Sequence, residues 1–266
     1  FMYEHHLPIT ERVFFSLLPL WQGRSLGKEI GALQDELASL QVFKDLRELL
    51  HYFTPTYGQT LHWTDGNDVY RAFVQILTLL GWQKERDQKA GERNLLKAFQ
   101  KILPQQDSFS SKIETRIDRI IRLLSASFHF FREQDGFIQG MFILPLPLPE
   151  RTVALQLPWT GKRTERGQLD PEFCQIVFLL DMPRLGRTEV TMHVQKRHIT
   201  LTVKTDLSQA HKLGEILVPL LKEKLVEKNY VLSSVRFEKL TRRKDSPPSA
   251  NSDVLLKRNV GLDVRV

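Results

Sequence analysis

The chain has little of what secreted or membrane-spanning proteins need. Its 266 residues include one cysteine, Cys174, so an internal disulfide is excluded. That cysteine lies in an apolar run, and we expect it to be a small buried hydrophobic side chain. No apolar stretch approaches the ~20 residues of a membrane-spanning helix. The first residues also lack the basic-then-apolar pattern of a secretory signal.

Sequence motifs of catalysis are also missing. There is no Gly-x-Ser-x-Gly turn for a nucleophilic serine and no Gly-x-x-x-x-Gly-Lys loop for phosphate. The histidine pairs His5/His6 and His193/His198 lack further ligands at recognisable spacing, so we expect surface side chains there. The sequence therefore predicts a protein that is not an enzyme and that holds neither a cofactor nor a metal ion.

The composition is that of a globular protein with a moderate excess of cations. Apolar residues make up 41% and charged residues 26%, and the formal net charge is +7. Two groups of cations stand close in sequence: Lys112, Arg116, Arg119 and Arg122, and then Arg242, Arg243 and Lys244. Either group could contact phosphates, but aromatic side chains are not interleaved with them as in a stacking platform. We interpret both groups of cations as solvated faces. The carboxylates Glu114 and Asp118 belong to the same solvated face as Lys112, Arg116, Arg119 and Arg122. Nucleic-acid binding is retained as the alternative function.

The first half of the chain has the 3.6-residue periodicity of amphipathic helices. The predicted helices cover about 13–21, 30–40, 43–53, 67–80, 95–103 and 111–128, with Pro19 limiting or kinking the first. Asp65 or Asn67 is the expected N-cap of the fourth helix and Gly81 its C-cap. The stretch Thr54–Gly66 is predicted to be a loop because it contains Pro55 and two glycines. Together these helices predict a bundle.

The periodicity changes to two after Gly136, which indicates strands. Residues 137–144 and 153–157 are predicted strands, and 160–171 is predicted to be a flexible loop. Between these two predicted strands, prolines occur at every second position: Pro145, Pro147 and Pro149. Because proline cannot donate to a sheet ladder, this piece is predicted to be an edge strand or an extended crossover.

Residues 173–240 read as three strands, one long helix and a closing strand. The first three strands are predicted at 174–180, 189–194 and 199–203, and the last at 231–237. The link 195–198 lacks glycine and asparagine, so we expect a loose hairpin loop. Asp206 or Ser208 is the expected helix cap. The predicted packing stripe of the helix is Ala210, Leu213, Leu217, Leu220, Leu221 and Leu225, with Pro219 bending the helix.

These patterns predict an α+β fold: an N-terminal helical bundle followed by a small mixed β-sheet domain of order β-β-β-α-β, with one long helix packed on the sheet. The predicted domains are a helical domain over 1–135 and an α+β domain over 136–240 whose core is 173–240. Residues 241–266 are predicted to be a basic, flexible tail.

A run of residues in this core carries a family resemblance. Leu179–Gly186 ends in Pro183-Arg184-Leu185-Gly186 and is followed by the strand Glu189–Met192. The helix centre is Leu217-Val218-Pro219-Leu220-Leu221, and Tyr230–Val235 forms the last strand. This stretch resembles the C-terminal domain of flagellar hook-length control proteins. The upstream segment Phe142–Leu148 is similar to the Leu-Pro-Leu segment of long members of that family.

The motif residues Pro183, Leu185, Gly186, Leu217, Pro219 and Leu221 are expected to be structural. Pro183 would fix φ and stop the strand, Leu185 would plug the core at the turn, and Gly186 would take a positive φ.

The resemblance implies a non-enzymatic interaction module of the flagellar type III export apparatus. Its expected partner is the cytoplasmic domain of the export-gate switch protein, and the contact would change export from rod-hook to filament substrates. It implies no cofactor, no small-molecule substrate and no membrane span. The implied location is the cytoplasm, with passage through the flagellar apparatus left open.

Overall fold

The computed structural model describes residues 10–21, 25–38, 44–63, 65–81, 94–102, 111–182 and 185–240. The predictions for His5, His6, Pro183 and the tail 241–266 lie outside these residues. The helices within the described residues are α1 (Glu11–Trp21), α2 (Leu26–Ala38), α3 (Lys44–His51), α4 (Pro55–Thr60), α5 (Gly66–Leu79), α6 (Leu95–Ile102), α7 (Ser111–His129) and α8 (Ala210–Glu227). The strands there are β1 (Arg132–Gln134), β2 (Phe137–Pro147), β3 (Thr152–Arg163), β4 (Leu169–Met182), β5 (Gly186–Gln195), β6 (His198–Thr205) and β7 (Val231–Lys239).

The chain is α+β, as the sequence predicts. Its strands form one sheet in the order β1-β2-β3-β4-β5-β6-β7. The pairs β1–β2, β3–β4, β4–β5 and β5–β6 are antiparallel, whereas β6–β7 is parallel. The sheet is therefore mixed but larger than predicted, because β2, β3 and β4 join the module strands in a single ladder.

The predicted flexible loop over 160–171 is wrong. β3 continues to Arg163 and β4 begins at Leu169, so the connection between the strands is short. Gly167 N donates to Thr164 O at 2.9 Å, and Thr164 N donates to Gln168 O at 2.8 Å. Gly167 has φ +76°, which the tight turn requires and which glycine adopts without a Cβ penalty. The polar residues of this stretch therefore belong to strand ends and to a turn.

The chain divides into two compact units. The sheet unit comprises residues 1–23, 127–142 and 156–266, and the helical unit comprises residues 24–126 and 143–155. The core of the helical unit includes fully buried side chains from several helices, namely Leu26, Ile30, Leu33, Leu37, Leu46, Leu50, Ile76, Leu95, Phe99 and Ile117. These residues lie at the helical spacing that the sequence shows, which confirms that α2, α3, α5, α6 and α7 bury apolar faces, although the predicted face of α7 also included Phe128, which is exposed.

One predicted loop of the helical unit contains a helix. Thr54 caps α4, because its side-chain oxygen accepts from Tyr57 N at 3.3 Å, and Pro55 occupies the first turn, where a missing amide costs nothing. The next helix, α5, has the predicted cap: the Asp65 side chain accepts from Asn67 N at 2.8 Å. Gly81 follows its C-terminus with φ +78°, as expected for the residue after a C-cap.

The proline-bearing part of β2 lies beyond its ladder with β1. That ladder joins Phe137, Ile138 and Gln139 to β1 and stops there. Pro145 and Pro147 lie at the far end of β2, where no β1 residue pairs with them. Their missing amides therefore cost no hydrogen bond with β1. β2 nevertheless lies between β1 and β3 in the sheet order, so the predicted edge strand is wrong for the element as a whole.

The predicted loose loop between β5 and β6 is wrong. Gln195 pairs directly with His198, so the turn has two residues, Lys196 at φ +47° and Arg197 at φ +67°. Both angles belong to the left-handed region of a primed hairpin turn, which glycine and asparagine usually occupy. Surrounding bonds hold the turn: Lys196 N donates to Glu172 O at 2.8 Å, and Arg197 Nε donates to the Glu172 carboxylate at 3.1 Å.

Candidate interaction surface

Residues 173–240 form a module in which a buried row crosses four strands. Cys174 pairs with Val194, Val194 pairs with Ile199, and Ile199 pairs with Leu232. All four side chains are buried. The prediction that Cys174 is a small buried hydrophobe is confirmed, and burial raises the pKa of its thiol. The row fixes the register of the strands, because a slip by one residue would turn these side chains to the other face.

Helix α8 connects β6 to its parallel neighbour β7 and packs on the face that carries this row. Val218 of α8 and Leu225 of α8 lie against the buried cluster. Gly214 is the buried residue of the helix, and a Cβ at this position would overlap the Phe237 ring of β7. The absence of a side chain at Gly214 therefore lets the helix approach the sheet closely.

The predicted packing stripe of α8 is wrong for most of its members. Leu213, Leu217 and Leu220 are exposed, whereas Gly214 and Val218 face the sheet. The reason is that α8 carries apolar residues on two sides, and the sheet covers only one of them. Gly214 lies on the covered side, and because it has no side chain, this side of the helix can come nearest to the strands.

The uncovered side of α8 is a continuous apolar surface. Leu213, Ile216, Leu217 and Leu220, which we call the α8 stripe, are between 39% and 66% exposed. Their spacing of i, i+3, i+4 and i+7 places them on one side of the helix. Exposed apolar clusters of this kind mark surfaces that contact other molecules. The sequence pattern predicted that Leu213, Leu217 and Leu220 pack on the sheet, and Ile216 was not part of that prediction.

The residues of the family motif occupy different environments. Gly186 has φ +67°, which confirms the predicted positive φ, and a Cβ there would meet nothing within 4 Å, so the backbone alone requires glycine. The prediction that Leu185 plugs the core is wrong, because this side chain is 37% exposed at the surface of the turn. Leu221 is exposed to the same extent. Pro219 lies inside a continuous α8, and the bend attributed to it stays a prediction.

The predicted caps of α8 are also wrong. The helix begins at Ala210, and the preceding Gln209 makes no side-chain hydrogen bond to the first turn. Thr205 Oγ1 accepts from Leu207 N at 3.2 Å and orders the connection instead. Asp206 and Ser208 therefore lie in the turn before the helix.

The histidines of the module are exposed, as expected. His198 Nδ1 lies 3.3 Å from Ser233 Oγ, across the parallel pair β6–β7. Over the residues that the structure describes, no group of three or more His, Cys, Asp or Glu side chains is placed to hold a metal ion. The same residues contain no helix that is both long and apolar enough to cross a membrane.

The prediction of a solvated face on α7 is wrong for Arg116, whereas Lys112 and Asp118 are exposed. Arg116 is largely buried and forms two hydrogen bonds to Glu36, at 2.9 and 3.0 Å, and one to Glu29 at 2.8 Å. Lys112 lies 2.9 Å from Glu36, and Arg122 pairs with Asp118 at 2.6 Å. Carboxylates of the helical unit thus neutralise much of this row.

The Arg116–Glu36 pair makes the stability of the helical unit depend on pH. Hydrogen bonding to Arg116 holds the pKa of Glu36 below its ordinary value of 4.5, against the opposing effect of burial. As pH falls, the Glu36 carboxylate is protonated in the unfolded state before it is protonated in the folded state. The stabilisation is therefore complete above about pH 4.5 and is lost as pH falls through the folded-state pKa.

We therefore expect Glu36→Gln to flatten the fall in unfolding free energy between neutral pH and about pH 3. Urea unfolding at a series of pH values measures this slope. The matched control is Glu48→Gln, which removes one charge from an exposed position on α3 and should leave the slope as it is. Identical pH profiles for the two variants would contradict the assignment.

Comparison with known proteins gives one relative of uncharacterised function. The chain is 25% identical over 191 residues to the uncharacterized protein YlqG of Bacillus subtilis (strain 168), a match that covers 67% of this chain and 32% of that protein. The chain thus spans about a third of the length of this relative. No family model matches the chain, and no solved structure matches it.

Proposed function

We propose that this chain is a non-enzymatic hook-length control-like protein that acts in substrate-specificity switching of the flagellar type III export apparatus. Residues 173–240 are its interaction module, and the helices of residues 24–126 belong to a separate domain. The partner of the module is the cytoplasmic domain of the export-gate switch protein. The protein works in the cytoplasm, where that domain is exposed.

The order of elements in the module supports this proposal. The family resemblance implies strand, turn, strand, strand, helix and strand, and the module has β4, β5, β6, α8 and β7 in that order with Gly186 in the left-handed region. The single observation that carries the proposal furthest is this agreement at the turn, because a positive φ at Gly186, the first residue of β5, is a specific requirement that the sequence motif anticipated.

The exposed apolar side chains of the module support a role in binding. A folded domain that leaves several large aliphatic groups in water gains free energy when a partner covers them. The alternative, nucleic-acid binding, has less support, because Arg116 and Lys112 of α7 are engaged by Glu36.

The proposal is tested by titrating the full chain into the purified cytoplasmic domain of the switch protein in a calorimeter. We expect saturable binding that Gly214→Leu abolishes, because the new side chain would push α8 away from Phe237. Gly31→Ala, in α2 of the helical unit and with open space around the new methyl group, is the matched control and should bind normally.

A folded chain that gives no binding signal with this domain would overturn the proposal. A gel-shift titration of duplex DNA at low and high salt separates the alternative, since binding through phosphates weakens steeply as salt rises.

A further inference from the structure

Two charges of opposite sign flank the α8 stripe on one side, whereas Lys224 and Glu227, which continue the line of the stripe toward the C-terminus, pair with each other at 2.8 Å. Lys212 precedes the stripe and Glu223 follows it, and both side chains are exposed. They are 11 residues apart, about three helical turns, so they lie along the same side of α8. The midpoint between them falls within one residue of the midpoint of Leu213–Leu220. The apolar surface and its flanking charges therefore share one centre.

This common centre makes the surface complementary to itself when it is turned through 180°. In an antiparallel pair of such helices, Leu213 of one copy meets Leu220 of the other, and Ile216 meets Leu217. Lys212 of each copy then faces Glu223 of the other, which gives two opposite-charge contacts. In a parallel pair the same flank of the two copies lies on opposite sides of the contact, so Lys212 and Glu223 would not face each other.

We propose that the α8 stripe is a self-association site at which two copies of this chain pair through antiparallel α8 helices. The charge pattern favours a second copy as the occupant, because the same pattern reversed satisfies the positive and the negative flank together. The inference rests on α8 alone and is independent of any role in export.

The pairing is a small interface, since each copy contributes four large apolar side chains and their flanks. Interfaces of this size are weak and reversible. Association therefore depends on concentration, and a single replacement within the stripe has a large effect on it.

Sedimentation equilibrium of the full chain over a wide range of concentration tests the proposal. We expect reversible dimerisation that Ile216→Glu abolishes, because a carboxylate would be buried against apolar groups. The matched control is Val226→Glu, at an exposed position of α8 outside the stripe, which should dimerise like the natural chain. Far-ultraviolet circular dichroism of each variant checks that its fold is intact.

A charge exchange tests the antiparallel arrangement itself. Lys212→Glu and Glu223→Lys should each weaken dimerisation roughly tenfold, because each places like charges together twice. An equimolar mixture of the two single variants should recover dimerisation as a mixed pair, and the double variant should recover it with itself.

A chain that stays monomeric at every concentration would overturn the proposal and leave the stripe to a different occupant, such as a helix of another protein. Loss of dimerisation in the single variants without recovery in the mixture would equally overturn it. Dimerisation unaffected by Ile216→Glu would place the interface elsewhere and would also count against it.

Discussion

Replacing Gly58 with alanine should destabilise the helical unit by about 3 kcal/mol, near the upper end of what overpacking usually costs. Gly58 lies inside α4, and a Cβ there would overlap the carbonyl oxygen of Pro147 and stand 2.9 Å from the carbonyl carbon of Leu148. These neighbours are backbone atoms of a strand end, which cannot rotate away as a flexible side chain could. Relief therefore requires a shift of α4 or of residues 147–148.

Gly31→Ala is the matched control for this prediction. Gly31 lies inside α2 of the same unit, and a Cβ there meets nothing within 4 Å. Because alanine favours the helix by about 1 kcal/mol over glycine, this variant should be slightly more stable than the natural chain. Urea unfolding followed by circular dichroism gives both free energies. Equal effects at the two glycines would show that residues 147–148 do not limit the approach of α4.

The local patterns of the sequence predicted most of the elements. The helices α2, α5 and α7 follow from apolar spacing, and β5 and β6 follow from alternation, because both periodicities belong to a single element and need no knowledge of its neighbours. The row that Cys174, Val194 and Ile199 form across the strands was not predicted, because it depends on how the strands pair. Gly186 was predicted because a positive φ is a property of one residue.

The predictions failed where two local sequence patterns favour different structures, or where contacts with another part of the fold determine the conformation. Thr54-Pro55 is a good helix start, but Pro55 and the following glycines also read as a loop, so α4 was overlooked. The turn at Lys196 and Arg197 has no favourable turn residues, and it is tight because Glu172 and β7 hold it. Here tertiary contacts outweigh the local preference of the chain.

The orientation of α8 illustrates the limit of periodicity. Leu213, Leu217 and Leu220 satisfy helical spacing as well as Gly214, Val218 and Leu225 do. Hydrophobicity alone favours the leucines as core. The deciding feature is the smallness of Gly214, which admits Phe237, and the sequence does not reveal which strand residue will lie opposite it. The exposed stripe is thus the part of the surface that sequence reasoning placed on the wrong side.

The buried ion pairs of Arg116 could not be predicted from the sequence either. Their partners Glu36 and Glu29 are 80 and 87 residues away along the chain, while Glu114 and Asp118 are near neighbours on the same helix. Local spacing therefore favoured pairs along α7. The tertiary arrangement instead places the Arg116 guanidinium between two carboxylates of α2, with Glu29 almost fully buried.

Arg116→Leu should consequently destabilise the helical unit by about 3–5 kcal/mol, the usual cost of removing one partner from a buried ion pair. The cost arises because the variant withdraws the cation from the buried carboxylate of Glu29 and from the bidentate contact with Glu36. Arg122→Leu is the matched control on α7. Its pair with Asp118 is exposed, so its loss should cost less than about 1 kcal/mol.

The double variant Arg116→Leu with Glu29→Leu separates the loss of attraction from the cost of a buried carboxylate that has lost its 2.8 Å contact with Arg116 and keeps Arg119 at 4.0 Å. If the penalty comes from burying the Glu29 carboxylate, removing that carboxylate should recover a substantial part of the stability, since apolar replacements of buried ion pairs are often well tolerated. Denaturant unfolding of the natural chain, both single variants and the double variant gives the coupling energy directly. Additive losses would show that Arg116 stabilises α7 through the packing of its aliphatic stem and not through its charge.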